Sequence, residues 1–221
     1  KTKDVLKNEG QVLFFLNRRG YAPTKMCVQC HSVVQCKNCS INLVYHKSLG
    51  KLICHHCAKI YENNQICMQC SSSKFISLGI GLERLQEEVI RLFSGNKVQI
   101  FSSDTLRNKK NKKIFFEEVH KNQIKILIGS QIVGKSFHFP NLKLVNIIDG
   151  DSTLHSPDFR AIEKTYQLFQ QVAGRSGREG AQGDVLIQTY NITHPLFQSL
   201  MDQDRNLFIE KELHRREQSA L

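Results

Sequence analysis

The chain has 221 residues, 40% of them hydrophobic, and a formal net charge of +11 at pH 7. This composition excludes a wholly disordered chain and suits one medium domain plus a smaller one, while the positive charge favours a polyanionic partner such as nucleic acid. No apolar run reaches transmembrane length and no signal peptide opens the chain, so we expect a cytosolic protein without a membrane partner, cut from a longer one because it starts at Lys1.

The predicted elements alternate between strands and helices outside one cysteine-rich segment. Short, apolar, β-branched runs predict strands, and apolar residues on one face of a longer run predict helices. Alternation of this kind predicts an α/β fold with a mostly parallel sheet that is covered on both faces. In chain order we expect a strand at 11–16, a helix at 82–93, strands at 97–101, 124–129 and 143–148, a helix at 160–172 and a strand at 184–189.

The cysteine-rich segment interrupts this pattern after the first strand, so we expect an insertion and not a terminal appendage. Residues 1–24 and 74–194 should then form one domain, and residues 25–73 the inserted module. The stretch 195–221 has a helical pattern and is highly charged, and we expect the truncated start of a C-terminal helical element there.

All eight cysteines lie in the inserted module, as the four Cys-x-x-Cys pairs Cys27/Cys30, Cys36/Cys39, Cys54/Cys57 and Cys67/Cys70. A two-residue gap lets both thiolates of a tight turn face one ion, and Zn²⁺ takes four sulfurs as a tetrahedron. Eight thiolates therefore predict two structural zinc ions in closed sites, with no open position for catalysis. A disulfide scaffold is the alternative, but it requires an oxidising compartment that no sequence signal indicates.

The four cysteine pairs can be divided between two ions in three ways. Cys39 and Cys54 are separated by 14 residues that read as a hairpin with its turn at 48–50, which is close to the spacing of a zinc ribbon. We favour a nested arrangement with one inner and one outer site. The inner site would be Cys36, Cys39, Cys54 and Cys57, and the outer site Cys27, Cys30, Cys67 and Cys70.

Residues 129–136 (GSQIVGKS) match the phosphate-binding P-loop pattern, and 144–149 (LVNIID) resemble a strand that ends in a magnesium-binding aspartate. A P-loop has to open a helix whose N-terminus holds the phosphates. Here Pro140 follows closely and the next strand begins by about Leu142, which leaves no room for a crossover helix. We therefore expect that Lys135 does not act as a P-loop lysine.

Residues 171–178 (QVAGRSGR) place Arg175 and Arg178 in a glycine-rich turn after a predicted helix. A guanidinium stays charged and donates hydrogen bonds in pairs, which suits a phosphate. At the edge of a sheet, such arginines would be placed to act as arginine fingers on a triphosphate held by another domain. An ordinary glycine-rich turn with exposed arginines is the other interpretation.

Three segments carry a resemblance to a known family: 15–24 (FLNRRGYAPT), 126–151 (ILIGSQIVGKSFHFPNLKLVNIIDGD) and 171–189 (QVAGRSGREGAQGDVLIQT). Together with the eight-cysteine insertion between the first two, they make the chain similar to the PriA family, the bacterial primosomal replication-restart DNA helicases (primosomal protein N′). The resemblance covers nearly the whole chain, and the zinc insertion is its most specific part. The QxxGRxGR pattern alone is typical of superfamily 2 helicases in general.

The resemblance implies that the body of the chain is a RecA-like second helicase lobe, the C-terminal motor lobe, and that the cysteines pair in the nested way. It assigns catalytic roles to two arginines, Arg175 and Arg178. The residues that it implies in ATP binding or coupling are Gln171, Gly174, Gly177, Ser130, Gln131 and Lys135. The residues that it implies in DNA binding are Asn17, Arg18 and Arg19.

Members of this family unwind DNA 3′→5′ at stalled forks, using ATP with Mg²⁺, and assemble the primosome. The resemblance therefore implies as partners forked and single-stranded DNA, other primosome proteins and the single-stranded-DNA-binding protein, in the bacterial cytosol and associated with the nucleoid. The lobe with the true P-loop is not in the chain, so we expect no ATP hydrolysis by the chain alone. Ser136 stands where the family usually has glycine, which removes backbone freedom from this loop.

Two other functions fit parts of the sequence. The first is a non-enzymatic zinc-containing nucleic-acid-binding protein, which would explain why the zinc module is basic but would not need QVAGRSGR. Glu62 is the one acidic residue of that module, whereas its lysines are Lys25, Lys37, Lys47, Lys51 and Lys59. A self-sufficient P-loop ATPase would require a helix after Lys135.

Overall fold

The computed structural model describes residues 1–17, 24–39, 41–46, 49–54, 56–63, 66–78, 81–102, 108–130, 137–154, 158, 160–177 and 183–218. The chain divides into two compact units. One consists of Lys1–Asn17 and Gln86–Leu221, and the other of Arg18–Leu85. We call the first the sheet unit and the second the cysteine unit.

The strands in chain order are β1 (Gln11–Leu16), β2 (Thr24–Cys27), β3 (Val44–His46), β4 (Lys51–Ile53), β5 (Ile60–Glu62), β6 (Phe75–Leu78), β7 (Val98–Phe101), β8 (Ile126–Gly129), β9 (Leu142–Ile148) and β10 (Asp184–Ile187). The helices are α1 (Thr2–Lys7), α2 (Leu82–Leu92), α3 (Lys109–His120), α4 (Ala161–Ala173), α5 (Pro195–Asp202) and α6 (Arg205–Gln218). A short 3₁₀ helix covers Gly150–Thr153. None of the helices in the described ranges is both long and apolar enough to cross a membrane.

Five parallel strands form the sheet of the sheet unit, in the order β10-β9-β1-β8-β7. The central strand β1 (QVLFFL) is buried along its whole length, as expected for a parallel strand that is covered on both faces. β8 and β9 pair with β1 on either side. The carboxyl ends of these three strands therefore meet at one edge of the sheet.

Helix α4 packs in the core through one stripe of its surface. Ile162, Tyr166 and Phe169 are buried at the spacing of four and three residues that defines one helix face. Phe169 meets Phe15 of β1 edge-on, with the ring centroids 6.3 Å apart.

The C-terminal helices continue the same core. The side chain of His194 caps α5, since its Nδ1 accepts from the N–H of Leu196 at 3.1 Å. Phe208 of α6 stacks on Tyr166 of α4 with the ring centroids 4.0 Å apart. Both helices lie in the stretch whose pattern is helical and charged.

Two antiparallel sheets make up the cysteine unit. β2 pairs with β6, so the chain enters and leaves the cysteine-rich segment side by side, while β3, β4 and β5 form a three-stranded meander. The hairpin predicted around residues 48–50 is the β3–β4 pair. The main apolar cluster of the unit is small, with Leu43 and Leu52 packed on buried cysteines. So small a core requires further cross-links to stay folded.

The predicted fold class is confirmed: an α/β fold has a parallel sheet, and a cysteine-rich insertion follows its first strand. Every predicted strand and helix is present, with ends shifted by one or two residues. Helix α3 is the main element that the sequence did not predict. Its first turn is basic and its buried residues are only Phe115 and Val119, so the apolar periodicity that announces a helix is weak there.

Gln11, the first residue of β1, is a fully buried polar side chain. Its amide nitrogen donates to the carbonyl oxygens of Val119 at 2.9 Å and of Ile124 at 2.8 Å. One side chain thus joins the central strand to the turn between α3 and β8. The bond to Ile124 matters most, because a buried carbonyl that loses its donor costs about 1–3 kcal/mol, whereas the carbonyl oxygen of Val119 also accepts from the N–H of Asn122 at 3.0 Å.

Replacing Gln11 with Met keeps most of the side-chain volume but removes both donors. We expect Gln11→Met to lower the free energy of unfolding of the sheet unit by about 2 kcal/mol, measured by urea unfolding followed by circular dichroism. The control is Gln167→Ala, which removes an exposed glutamine of α4 and should change this free energy by less than about 0.5 kcal/mol. Equal stability of wild type and Gln11→Met would contradict the prediction.

Candidate functional site

The four Cys-x-x-Cys pairs form four turns with the same backbone hydrogen bond. In each turn the N–H of the first cysteine donates to the carbonyl oxygen five residues later. The donor–acceptor distances are 2.8 Å for Cys27 to Ser32, 2.8 Å for Cys36 to Ile41, 2.9 Å for Cys54 to Lys59 and 2.9 Å for Cys67 to Ser72. The repeated bond closes each turn, so that both of its thiols point to one side.

In three of these turns the structure describes the residue directly after the second cysteine, and in all three that residue is left-handed. These residues are His31, Ala58 and Ser71, with φ of 58°, 57° and 57°. The N–H of each donates back to the carbonyl oxygen of the first cysteine, at 2.8–3.0 Å. A left-handed backbone favours glycine and costs other residues about 1–2 kcal/mol. The turns therefore hold strain that another interaction has to offset.

The sulfurs of the eight cysteines gather into two groups. Cys27, Cys30, Cys67 and Cys70 form one group, and Cys36, Cys39, Cys54 and Cys57 form the other, with the ligand atoms of each group within 4.8 Å of one another. This is the nested arrangement. The first cysteine of each turn is buried and the second is half-buried.

The geometry of both groups fits a tetrahedral zinc ion. Four sulfurs about 2.3 Å from a central ion form a tetrahedron with edges of about 3.8 Å. The Sγ–Sγ distances are 3.5 Å for Cys27–Cys70 and 3.4 Å for Cys30–Cys67. In the other group they range from 3.4 to 3.8 Å. All are much longer than a disulfide bond of about 2.05 Å, and all eight cysteines are free. Two cysteine tetrads therefore fit two structural zinc sites.

Hydrogen bonds from Tyr61 and Ser32 favour the thiolate form at one sulfur of each tetrad, whereas the hydrogen bond with Cys54 raises the pKa of Cys39 to about 12. The hydroxyl of Tyr61 lies 3.1 Å from Cys36 Sγ, and its hydrogen bond lowers the pKa of Cys36 to about 6. Ser32 Oγ lies 3.2 Å from Cys67 Sγ and, as the main cause, lowers the pKa of Cys67 to about 6. Since a thiol must lose its proton to bind a metal, both shifts favour metal binding at neutral pH.

Backbone N–H groups act in the same direction at two other sulfurs. The N–H of Cys30 lowers the pKa of Cys27, and the N–H of Cys57 lowers the pKa of Cys54. Ser32 and Tyr61, which sequence reasoning missed, orient and polarise ligands from outside the tetrads. Ser32 stands five residues after Cys27, at the carbonyl that closes the turn, but no comparable spacing singles out Tyr61.

Two of the predicted motif residues that the structure describes, Asn17 and Ser130, lie at the carboxyl edge of the sheet. Asn17 follows β1 and Ser130 follows β8, its parallel neighbour. Asn17 is only 5% exposed, and its carbonyl oxygen accepts from Ser152 Oγ at 3.3 Å. Six further residues named in the sequence analysis fall outside the described ranges: Arg18, Arg19, Gln131, Lys135, Ser136 and Arg178.

The segment that follows residues 129–136, which match the P-loop pattern, is not helical. Residues 137–141 form no helix, and β9 begins at Leu142. A helix continuing from Lys135 is therefore absent from the part of the chain that the structure describes here. A P-loop ATPase would require a helix after Lys135, so this finding does not favour a P-loop.

The turn after α4 carries the described part of QVAGRSGR. Gln171 and Gly174 are exposed, and Gly174 ends the helix. Arg175 is half-buried and its Nη1 donates to the carbonyl oxygen of Phe137 at 3.2 Å. Gly177 has φ of 73° and its N–H donates to the carbonyl oxygen of Leu142 at 3.2 Å. The turn is thus bonded to the segment that follows residues 129–136.

The chain is similar to known proteins along nearly its whole length. Residues 36–59 match the family model described as the PriA DNA helicase Cys-rich region (CRR) domain. The chain is 40% identical over 223 residues to Replication restart protein PriA of Rickettsia felis, 37% over 221 residues to that of Haemophilus influenzae and 36% over 220 residues to that of Bacillus subtilis.

These alignments cover 99%, 100% and 99% of the chain, but 34%, 30% and 27% of the three relatives. The chain therefore spans about a third of the length of the curated relatives that it matches. The resemblance to the PriA family, stated above on sequence motifs, is confirmed.

The reduced, folded chain should carry two zinc ions, measured by metal analysis with a parallel thiol titration. Cys36→Ser removes one ligand of one tetrad and should reduce the content to one ion, because the other tetrad keeps its four sulfurs. Met68→Ser, a change of an 84% exposed side chain inside a cysteine turn, is the matched control and should keep two. One ion or none in the wild type would contradict the prediction.

Relieving the left-handed strain should tighten zinc binding, since binding and folding of such a unit are one process. Ser71→Gly, at φ of 57°, should stabilise the metal-bound state by about 1 kcal/mol, which is about fivefold in the zinc dissociation constant. Competition with a chelator measures this constant. Ser72→Gly makes the same chemical change at the next residue, where φ is not positive, and should not tighten binding. Equal effects of the two substitutions would refute the strain argument.

Proposed function

We propose that the chain, which matches part of Replication restart protein PriA over nearly its whole length, is the second motor lobe and zinc module of an ATP-dependent DNA helicase that restarts stalled replication forks. The observation that supports this most directly is the extent of the similarity to the PriA proteins, which includes both the cysteine unit and the segments 126–151 and 171–189. Because the chain spans about a third of its relatives, we call the longer protein the parent enzyme.

In this proposal residues 1–24 and 74–194 form the RecA-like lobe, residues 25–73 the zinc insertion, and residues 195–221 the start of a C-terminal helical element. The other lobe of the parent enzyme would hold ATP and Mg²⁺. The bound magnesium would offset charge on the phosphates. The residues of this chain would close the other side of the cleft.

The residues at the ATP cleft would act through charge and position. Arg178 would reach the transferred phosphoryl group and neutralise charge as it spreads over the oxygens. Gly174 and Gly177 would allow the turn its close approach, and the exposed side chain of Gln171 would face the nucleotide. Arg175 belongs to the same turn.

The DNA-facing residues would lie at the carboxyl edge of the sheet, where β1 and β8 end. Arg18 and Arg19 would contact phosphates, with Asn17 holding the start of their loop, and the net charge of +11 supports an electrostatic contribution to binding. Ser130, Gln131 and Lys135 would couple the bound nucleotide to the DNA strand. The motor would move 3′→5′, on branched forks and on single-stranded DNA.

The zinc module would serve as a folded surface and not as a catalytic centre. Each tetrad already supplies four sulfurs, so a bound zinc ion has no open position for substrate or water. Its partners would be other primosome proteins and the single-stranded-DNA-binding protein. The parent enzyme would work in the bacterial cytosol, associated with the nucleoid.

A non-enzymatic zinc-containing nucleic-acid-binding protein is the less favoured function. Such a protein would need the basic cysteine unit alone. The similarity, however, extends over 99% of the chain, and the turn with Arg175 is bonded to the segment after residues 129–136. A protein that binds nucleic acid through the cysteine unit alone would not require a bond between these two segments.

The parent enzyme tests this function through Arg178. We expect Arg178→Ala to lower kcat for DNA-stimulated ATP hydrolysis by about 10³-fold or more, with Arg178→Lys also impaired because ammonium lacks the bidentate fork. Zinc content and thermal stability should not change, and the isolated chain should be inactive. Arg91→Ala, which removes a 74% exposed partner of Glu88, is the control. Near wild-type kcat in Arg178→Ala with saturating DNA would refute the finger role.

A further inference from the structure

Two hydrogen bonds join the segment 137–142 to the turn 175–177. Arg175 Nη1 donates to the carbonyl oxygen of Phe137, and the N–H of Gly177 donates to that of Leu142, both at 3.2 Å. The bonds attach the segment at its first and last residues. The turn 175–177 is therefore connected at two points to the segment that follows residue 136 in the chain.

The carbonyl of Phe137 is held in place by the ring of the same residue. That ring stacks on Phe116 of α3 with the centroids 5.1 Å apart and meets Phe101, the last residue of β7, edge-on at 5.1 Å. Phe101 is fully buried. Such aromatic pairs are each worth about 0.5–1.5 kcal/mol beyond their buried area. Arg175 thus bonds to a backbone oxygen whose position the core decides.

The turn on the other side of these bonds is also closely packed. A Cβ atom on Gly183 would lie 2.5 Å from Gly177 N and 2.5 Å from Ser176 Cβ, so only glycine fits there. Ser176 Oγ donates to the carbonyl oxygen of Ala173 at 2.9 Å, which ties the turn to the end of α4. The turn 175–177 and the segment 137–142 are therefore each closely packed where they are bonded to one another.

We propose that Arg175 is a positioning residue, which links the DNA-facing loop 129–136 to the ATP-facing turn through the carbonyl of Phe137, and that Arg178 is the arginine that acts on phosphate. The proposal rests on the function proposed above and narrows it, since the family resemblance assigns both arginines to catalysis. A half-buried guanidinium bonded to Phe137 would have to break that bond to reach a phosphate across a cleft. The position of Arg175 instead suits a residue that couples the proposed DNA-facing loop to the proposed ATP-facing turn.

The link itself can be measured on the chain without any activity. Hydrogen exchange of the Gly177 amide, which Leu142 protects, should be about tenfold faster in Arg175→Ala, because loss of the first bond frees the segment to open. Arg175→Lys keeps one donor for the Phe137 carbonyl and should stay within about threefold of wild type. Arg91→Ala should leave this amide unchanged. Unchanged exchange in Arg175→Ala would overturn the proposal.

The consequence for the motor is measured in the parent enzyme, as the ratio of DNA-stimulated to basal ATP hydrolysis. Arg175→Ala should lower this ratio about tenfold, while Arg175→Lys should restore it to within about threefold of wild type. A catalytic finger gives a different result. Basal and stimulated rates would fall together, by about 10³-fold, and lysine would not rescue them.

Two failures can be told apart. A wild-type parent enzyme without DNA-stimulated hydrolysis would refute the proposed function, and the coupling role of Arg175 with it. A wild-type enzyme with normal stimulation, in which Arg175→Lys is as impaired as Arg175→Ala, would refute only the positioning role and return Arg175 to catalysis.

Discussion

The burial of β1 is the constraint on which the rest of the sheet unit depends. All of its residues are buried, and it pairs with β8 on one side and β9 on the other. A strand in this place has to be apolar and parallel to its neighbours, and its one polar residue, Gln11, has to find internal partners. Because three parallel strands then end at the same edge, the loops that follow them are brought together whatever their own sequences.

The cysteine unit is stabilised by a different kind of interaction. Its main apolar cluster is small, with Leu43 and Leu52 at its centre, which is little for an independent fold. Two tetrads of sulfur replace the missing core, since metal binding to such sites supplies folding free energy directly. The same free energy offsets the left-handed backbone at His31, Ala58 and Ser71. Ser32 and Tyr61 then adjust the ligands electrostatically.

In the proposed motor, this lobe would contribute to catalysis by responding to what the other lobe holds. The response would require a rigid path from the proposed DNA-facing residues to the proposed ATP-facing turn. The described part of such a path is short, because the segment 137–142 is bonded at both ends to 175–177. The aromatic cluster around Phe137 makes the path stiff, because packed interiors resist gradual deformation. The proposed coupling would thus depend on the core as much as on the motif residues.

The sequence by itself determined most elements of the sheet unit and the two cysteine tetrads that fit zinc. Strands such as 11–16 and helices such as 160–172 were predictable because apolar periodicity is a local signal, and the cysteine tetrads were predictable because Cys-x-x-Cys spacing decides which sulfurs can share an ion. The absence of a helix from residues 137–141 was also predictable, because few residues separate Lys135 from the next strand.

Only the tertiary structure decided what surrounds these residues. Arg175 and Phe137 are 38 positions apart, and Cys36 and Tyr61 are 25 apart, so no local pattern announces either contact. Helix α3 was missed because its burial rests on Phe115 and Val119 meeting the sheet and not on a long apolar face. The roles of Arg175 and Tyr61 follow from which atoms folding brings within hydrogen-bonding distance. That is settled by long-range packing, which periodicity and spacing do not encode.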